Sequence, residues 1–285
     1  TPFYPNWTPG ELNWHVGQEV TPSLAEKMRG DLAVLTINAA AEKGVNVVIV
    51  EGAKNHLFRE AIKRQYVSVY EETIRGMSAG RQEAFEIARK RHSGVANLWI
   101  EPEKISIIED CLPQLMLPIL RDEADMTIPW RDETSFATYP DFQVDFEMES
   151  NKLCNEMLKS AGILPLEHPG YDIWSGPRGW NRGINPYFLR KYEYISTSTD
   201  PKNDLIKPEE YCNATFFPVI ATLINGGEVL SVPVPYRNPV IQTKMEQDSQ
   251  IFRNKRKYQR DSILATTEEY IALHLGKPSK LALVA

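Results

Sequence analysis

The sequence predicts an α/β fold in which a mostly parallel, twisted sheet is flanked by helices. Through the first 130 residues, short apolar segments alternate with longer segments of helical spacing, and the connecting loops are short. This alternation is typical of βαβ units and a parallel sheet. The segment 45–50, VNVVIV, is β-branched and apolar, as expected for a strand that is buried on both faces.

Each element of the first half follows from a local pattern. The helix 21–44 has an N-cap at Thr21 or Ser23, helical apolar spacing and a terminal Gly44. The elements after it are predicted in this order: strand 45–50, helix 56–65, strand 66–71, loop 75–80, helix 81–92, strand 94–100, helix 103–120 with an interruption at Pro113, and strand 124–130.

The second half has a different character. A long helix is predicted over 139–162 and a final amphipathic helix over 255–276. Between them the sequence predicts an irregular segment 168–188 rich in Gly, Pro and Trp, a helix 208–227 that is kinked or broken at Pro218, and a strand 228–236. No internal repeat or long linker divides the chain, so we expect one domain over residues 1–285.

Composition excludes several classes of protein. The formal net charge is -6 and the isoelectric point is about 5.5, so nucleic acid is not an expected partner. The three cysteines are widely spaced, which argues against a disulfide framework or a structural zinc site and favours the reducing cytoplasm. No run approaches the roughly 20 apolar residues that a transmembrane helix needs. The opening residues do not have the pattern of a signal peptide.

Four loops are expected to converge on one site. In open sheets of this kind the ligand crevice lies beyond the carboxyl ends of the strands. The loops that leave these ends are EGAKN (51–55), EETIRGMSAG (71–80), EPEK (101–104) and RDETS (131–135).

The first candidate site in these loops suits an anion. Gly76 and Gly80 flank the entry to a helix, so free backbone N–H groups and Arg81 are placed to bind a negative charge. The structural alternative is an ordinary helix N-terminus with a surface arginine.

The second candidate suits a divalent cation. Glu101 and Glu103 stand on either side of Pro102 at a strand end, and such carboxylates can chelate a cation that bridges a diphosphate. The alternative is a solvated turn in which Lys104 pairs with one of the glutamates.

Two further segments contain candidate residues. Arg131 follows the fourth predicted strand and suits bidentate phosphate contacts, although a surface salt bridge explains it equally well. In YDIWSGPRGWNR, Asp172 is a candidate base, Arg178 a candidate phosphate ligand, and Trp174 and Trp180 candidate stacking partners for a sugar. A structural loop with core tryptophans is the alternative.

Taken in order, these segments resemble a glycosyltransferase of the GT-A fold, within the family that includes dolichol-phosphate mannose synthase. VNVVIVEGAKN is similar to the strand and turn that place an acidic residue near the nucleotide base, and GMSAGRQEAFEIA resembles the family's glycine–arginine loop. WIEPEK falls where the family has its DxD metal motif, with glutamates in place of the aspartates. DIWSGPRGWNR resembles the acceptor-side segment, and GGEVLSVPVPYRNP the closing strand.

The resemblance implies a hexosyltransferase that moves a sugar from a UDP- or GDP-sugar, such as GDP-mannose, to a hydroxyl of a small-molecule, glycan or lipid-linked acceptor. Residues 21–138 would form a Rossmann-like half that binds the nucleotide sugar, and 139–285 the acceptor half. The donor-side residues would be Glu51, Gly76, Arg81, Glu101, Glu103, Lys104 and Arg131. The catalytic residues would be Asp172 and Arg178, and the acceptor-side residues Trp174 and Trp180.

Several alternatives stay open. Either Mn²⁺ or Mg²⁺ is held by Glu101 and Glu103, or Glu103 and Lys104 contact the sugar or the diphosphate directly. A nucleotidyltransferase would have a similar sheet, but the expected glycine-rich basic loop is missing from the N-terminal segment. A non-catalytic protein that binds nucleotides or sugars is the third possibility, and a homo-oligomer is compatible with all of them.

Overall fold

The computed structural model describes residues 2–196 and 204–284 as a mixed α/β protein. The helices are α1 Pro22–Glu42, α2 His56–Ala61, α3 Met77–Arg91, α4 Leu112–Leu120, α5 Glu133–Phe136, α6 Asp141–Ser160, α7 Asn185–Leu189, α8 Asn213–Ile224, α9 Val240–Glu246 and α10 Gln250–His274. The strands are β1 Val47–Glu51, β2 Val67–Glu71, β3 Ala96–Trp99, β4 Met126–Trp130, β5 Arg178–Asn181, β6 Tyr192–Tyr194, β7 Val229–Pro233 and β8 Leu281–Leu283. Within these residues, no helix is both long and apolar enough to cross a membrane.

The strands form three separate sheets. The first pairs β1 with β2 in parallel, and the second has four strands in the order β3-β5-β4-β7. In this larger sheet β4 and β7 are parallel, whereas β5 is antiparallel to both β3 and β4. The third pairs β6 with β8 in antiparallel fashion. The largest apolar core packs the faces of β4 and β5 against α6, α7, α8 and α10.

Most predicted elements of the first half are confirmed, because their local signals are strong. The Thr21 side chain accepts a hydrogen bond from the backbone N–H of Leu24, which caps α1 as the sequence predicts. All four predicted strands exist, and the first four residues of β4 are buried, as an apolar strand with neighbours on both edges requires.

The prediction of a mostly parallel sheet is wrong, and so is the prediction that 168–188 is irregular throughout. That segment contains both β5 and α7. The signal for β5 is hidden because its sequence, RGWN, has no β-branched residue. Gly179 is needed in it, since a Cβ there would lie 2.5 Å from Oγ1 of Thr127 on the neighbouring strand.

The two predicted helix interruptions have different outcomes. Pro113 occupies the first turn of α4, directly after a π-helical turn Ile107–Cys111, so an irregularity does lie there. Pro218 does not break its helix and lies inside α8. The irregular turn is instead Pro208–Cys212, which is also π-helical and precedes α8.

Candidate functional site

A small cavity of about 60 Å³ lies beyond the carboxyl ends of β3 and β4, where two of the four expected loops meet. Its wall contains five cationic side chains, those of Arg81, Lys104, Arg131, Arg178 and Arg256. Three carboxylates accompany them: Glu101 and Glu147 line the cavity, and Asp172 binds Arg131 from behind. The site therefore has an excess of two positive charges.

Arg131 is the one cation in this group that carboxylates neutralise fully. Its Nε and Nη2 donate to the two oxygens of Asp172 at 2.7 and 2.8 Å, and its Nη1 donates to Glu147 at 2.6 Å. Asn151 and Gln143 donate further hydrogen bonds to these carboxylates, and all three charged groups are buried. The paired carboxylates raise the pKa of Arg131 despite its burial.

Arg178 is buried as deeply as Arg131 but has neutral partners. Its Nη1 donates to Oγ of Ser175 at 3.2 Å and to the carbonyl of Pro177 at 2.7 Å, and its Nη2 donates to the carbonyl of Ile173. Its Nε has no hydrogen-bond partner among the described residues. Burial lowers the pKa of Arg178 to about 10, a sign that the charged form lacks compensation.

Lys104 and Arg81 resemble Arg178 in having no carboxylate in contact, and we refer to the three as the uncompensated cations. Nζ of Lys104 donates to Oδ1 of Asn238 at 2.7 Å, and burial lowers the pKa of this lysine. The guanidinium of Arg81 lies over the ring of Trp99 at 4.6 Å, and burial lowers its pKa as well. Within the described residues, no carboxylate oxygen lies within 4.0 Å of a charged nitrogen of Arg81, Lys104 or Arg178.

Glu101 is the carboxylate that faces these cations. It lines the cavity and is half-buried, and its charge acts on Arg81, Lys104 and Arg178 without direct contact. Gly176 lies directly beside Glu101, and a larger residue would not fit there, because a Cβ would lie 3.0 Å from Oε2 of Glu101. The φ of +84° at this position also favours glycine. No ion pair within the described residues includes Glu101, so its carboxylate is available to a ligand.

Glu103 points elsewhere. Its Oε1 accepts a hydrogen bond from the hydroxyl of Tyr4 at 2.9 Å, and it is not among the cavity's lining residues. In the described part of the chain, no group of three or more His, Cys, Asp or Glu side chains could hold a metal ion. Glu147 also lines the cavity but is bound to Arg131, and cations surround Glu101, so these residues do not fit Mn²⁺ or Mg²⁺.

The other predicted donor residues lie outside the cavity. Glu51 ends β1 but is buried, and its carboxylate accepts hydrogen bonds from Arg59 and from the backbone N–H of Ala53. Gly76 is the N-cap of α3, which begins at Met77 within the predicted loop, and only Arg81 of this segment reaches the cavity.

The two candidate tryptophans have different environments. Trp174 lines the cavity, is half-buried and contacts Phe216 edge to face at 5.0 Å. Trp180 is buried in the core, stacks on Phe188 at 4.0 Å and donates its indole N–H to Asn185. The structure thus brings Trp174 but not Trp180 to the cavity.

The lining residues that were not predicted include Arg256 and Gln259 on α10, and Tyr211. Arg256 belongs to the basic run RNKRKYQR, which follows shortly after the acidic segment EQDSQ. The signal that could have found it is helical spacing, since Arg256, Gln259 and Ile263 lie on one face of α10.

A larger groove of about 930 Å³ adjoins the cavity and shares Arg131 with it. The groove runs along α6 and is bordered by Asp172 and by the exposed Trp130. No protein-family model matches this sequence, and a search of curated proteins finds no relative.

Proposed function

We propose that this protein is a glycosyltransferase of the GT-A type that binds a nucleotide-diphosphate sugar and transfers the sugar to a hydroxyl acceptor. The observation that supports the proposal most is the group of Arg81, Lys104 and Arg178 around one cavity, without carboxylates in contact. Lys104 and Arg178 are buried and Arg81 is half-buried. A buried charge without a counter-ion is costly, so the chain gains nothing in stability from keeping these cations together. A bound diphosphate would supply the missing negative charge.

The dimensions of the cavity suit one phosphate of this ligand. A cavity of about 60 Å³ suits one phosphate-sized group, whereas pockets for whole small molecules occupy about 300–1,000 Å³. The adjoining groove of about 930 Å³ falls in that range, so it is the proposed place for the acceptor. Its border includes Trp130, whose exposed ring offers a face for stacking on a sugar.

In the proposed reaction, the bond between the sugar's anomeric carbon and the diphosphate oxygen breaks as the acceptor oxygen bonds to that carbon. Lys104 and Arg178 would stabilise the negative charge that develops on the leaving diphosphate. In this proposal a carboxylate accepts the acceptor's proton. Asp172 is held by Arg131 and Asn151, so Glu101 becomes the candidate base in place of Asp172.

Ligand binding tests the donor assignment. The melting temperature of the chain should rise with at least one of UDP, GDP, ADP, CDP and TDP, and less with the matching monophosphate, because the second phosphate gains contacts with the cations. Lys104→Met should abolish most of this shift. Lys54→Met is the matched control, since Lys54 is exposed and pairs with Glu71. A chain that none of the five diphosphates stabilises would contradict the proposal.

A second function is favoured by one observation, the ion pair that occupies Asp172. A protein that binds a nucleotide sugar without turning it over needs the cations but no base. Product formation from the bound nucleotide sugar separates the two functions: turnover that Glu101→Gln lowers supports the transferase, and binding with no turnover in the unaltered chain supports the non-catalytic protein.

A further inference from the structure

A second groove, of about 670 Å³, separates the sheet of β1 and β2 from the sheet that begins with β3. One wall includes Val47, Val48 and Ile49 of β1, and the opposite wall includes the whole of β3. Helices cover the groove on its other sides, with α1, α3 and α4 all contributing lining residues. The groove thus has the surroundings of a strand inside an α/β sheet, but no strand of the described residues lies in it.

Both walls present backbone groups that no strand of the described residues pairs with. In β1, the backbone N–H of Val47 and the carbonyl of Glu51 form hydrogen bonds on the β2 side. The backbone N–H and carbonyl groups of the alternate residues Val48 and Val50 therefore point to the opposite side, towards the groove. In β3, the carbonyl of Val95 bonds to Arg182 on the β5 side, so Ala96 and Leu98 point towards the groove. Two strand edges that face one another without partners are a place where backbone hydrogen bonds are missing.

Burial gives the same result independently. All four residues of β3 are only half-buried, and so are the first two of β1. By contrast, the first four residues of β4, which has a neighbour on each edge, are all buried. The helices leave room for an occupant, because Ala40, Ala84 and Ala88 are among the residues that face the groove.

The position of Pro2 indicates where an occupant would come from. Its carbonyl accepts a hydrogen bond from the backbone N–H of Gly52, at the carboxyl end of β1 and on the groove side of that strand. Pro2 also lines the groove. A polypeptide that leads into Pro2 would therefore run beside β1, in the same direction as β1.

We propose that the groove receives one further β-strand, supplied by the polypeptide that leads into Pro2. This strand joins the two sheets by pairing with Val48 and Val50 on one side and with Ala96 and Leu98 on the other. About five residues would span β1. Its side chains are apolar on both faces, because helices cover both faces of the groove.

The test is a variant of the full chain with six alternating valine and isoleucine residues added before Thr1. Its control has the same length and two prolines within the added segment, which remove backbone donors and so prevent pairing. The apolar segment should raise the melting temperature by about 5 °C relative to the control. Backbone amide exchange at Val48, Val50, Ala96 and Leu98 should slow at least about tenfold.

Two further measurements decide the occupant. Ala88→Trp narrows the groove, so it should remove the gain that the apolar segment gives while changing the unextended chain little. The same six residues, added as a free peptide, should protect these amides far less than the attached segment does, because attachment raises the effective concentration. Equal melting temperatures and exchange for the apolar and proline variants would overturn the proposal. So would protection by the free peptide as strong as by the attached segment, which would assign the groove to a separate polypeptide.

Discussion

Two kinds of buried cation lie side by side in this protein, and they differ in what neutralises them. Arg131 has two carboxylates in contact, each held by a further amide. Arg178, at a similar depth, donates to a hydroxyl and two backbone carbonyls, and no described residue accepts a hydrogen bond from its Nε. Their pKa values move in opposite directions, up for Arg131 and down for Arg178.

The difference separates a structural role from a binding role. Removing either partner of a buried ion pair leaves the other charge buried without a counter-ion, which destabilises the protein. Arg131 therefore has a structural role. The buried charge of Arg178 destabilises the folded protein in its unliganded state, and a bound anion would offset this destabilisation. The interpretation predicts that replacing the first cation affects stability, whereas replacing the second affects binding.

The largest effect is expected from Arg131→Met. Asp172 and Glu147 would remain buried without their cation, and such a loss costs about 3–5 kcal/mol of unfolding free energy. Urea unfolding of the purified chain measures it. The control is Arg237→Met, which removes an exposed partner of Asp110 and should change the unfolding midpoint little. If the two substitutions have similar effects, Arg131 does not hold the site together.

A smaller effect, of a different kind, is expected from Arg178→Met. Affinity for the diphosphate that stabilises the unaltered chain should fall by about 1.5–3 kcal/mol, roughly ten- to a hundredfold, because a charge-assisted hydrogen bond is lost. The unfolding free energy should fall by less than in Arg131→Met. The substitution removes the carbonyl contacts of Arg178, but it also removes a buried charge that is itself destabilising, and it leaves no carboxylate unpaired. Isothermal titration and urea unfolding on the same sample give both quantities. Unchanged affinity with a large loss of stability would assign Arg178 to the fold.

The sequence predicts the elements of the first half well because each has a complete local signal, such as the cap at Thr21 and the apolar strand at β4. It fails at β5, where Gly179 is selected by contact with Thr127 on a neighbouring strand, a constraint that no local pattern contains. Chain reversal at that strand also makes the sheet mixed rather than mostly parallel.

The candidate site shows the same division. Loop position alone brings Glu101, Lys104 and Arg131 to one cavity, as the sequence predicts from strand ends. It cannot predict that Arg131 and Asp172 bind each other, because the two residues are 41 positions apart and meet only through tertiary packing. The orientation of Glu103 towards Tyr4 depends on a contact across 99 positions and is equally invisible in the local sequence.

The smallest expected effect concerns Glu101, the cavity-lining carboxylate whose charge acts on Arg81, Lys104 and Arg178. Removing its negative charge should leave those cations with a larger excess, so Glu101→Gln should strengthen binding of the nucleoside diphosphate. The Coulomb energy between two charges that are close but not in contact, at an intermediate dielectric, is about 1 kcal/mol, which corresponds to a roughly fivefold change in affinity. Turnover should fall in the same variant, because the glutamine cannot accept the acceptor's proton. Glu103→Gln is the matched comparison and should change both quantities less, since Glu103 faces Tyr4 and its charge acts on Arg81 and Lys104 more weakly than that of Glu101. The alternative in which Glu101 holds a divalent cation requires the opposite sign: diphosphate binding would weaken in Glu101→Gln, and EDTA would weaken it in the unaltered chain. The direction in which Glu101→Gln changes the affinity for the nucleoside diphosphate therefore decides whether Glu101, the first glutamate of WIEPEK, contacts the substrate or a metal.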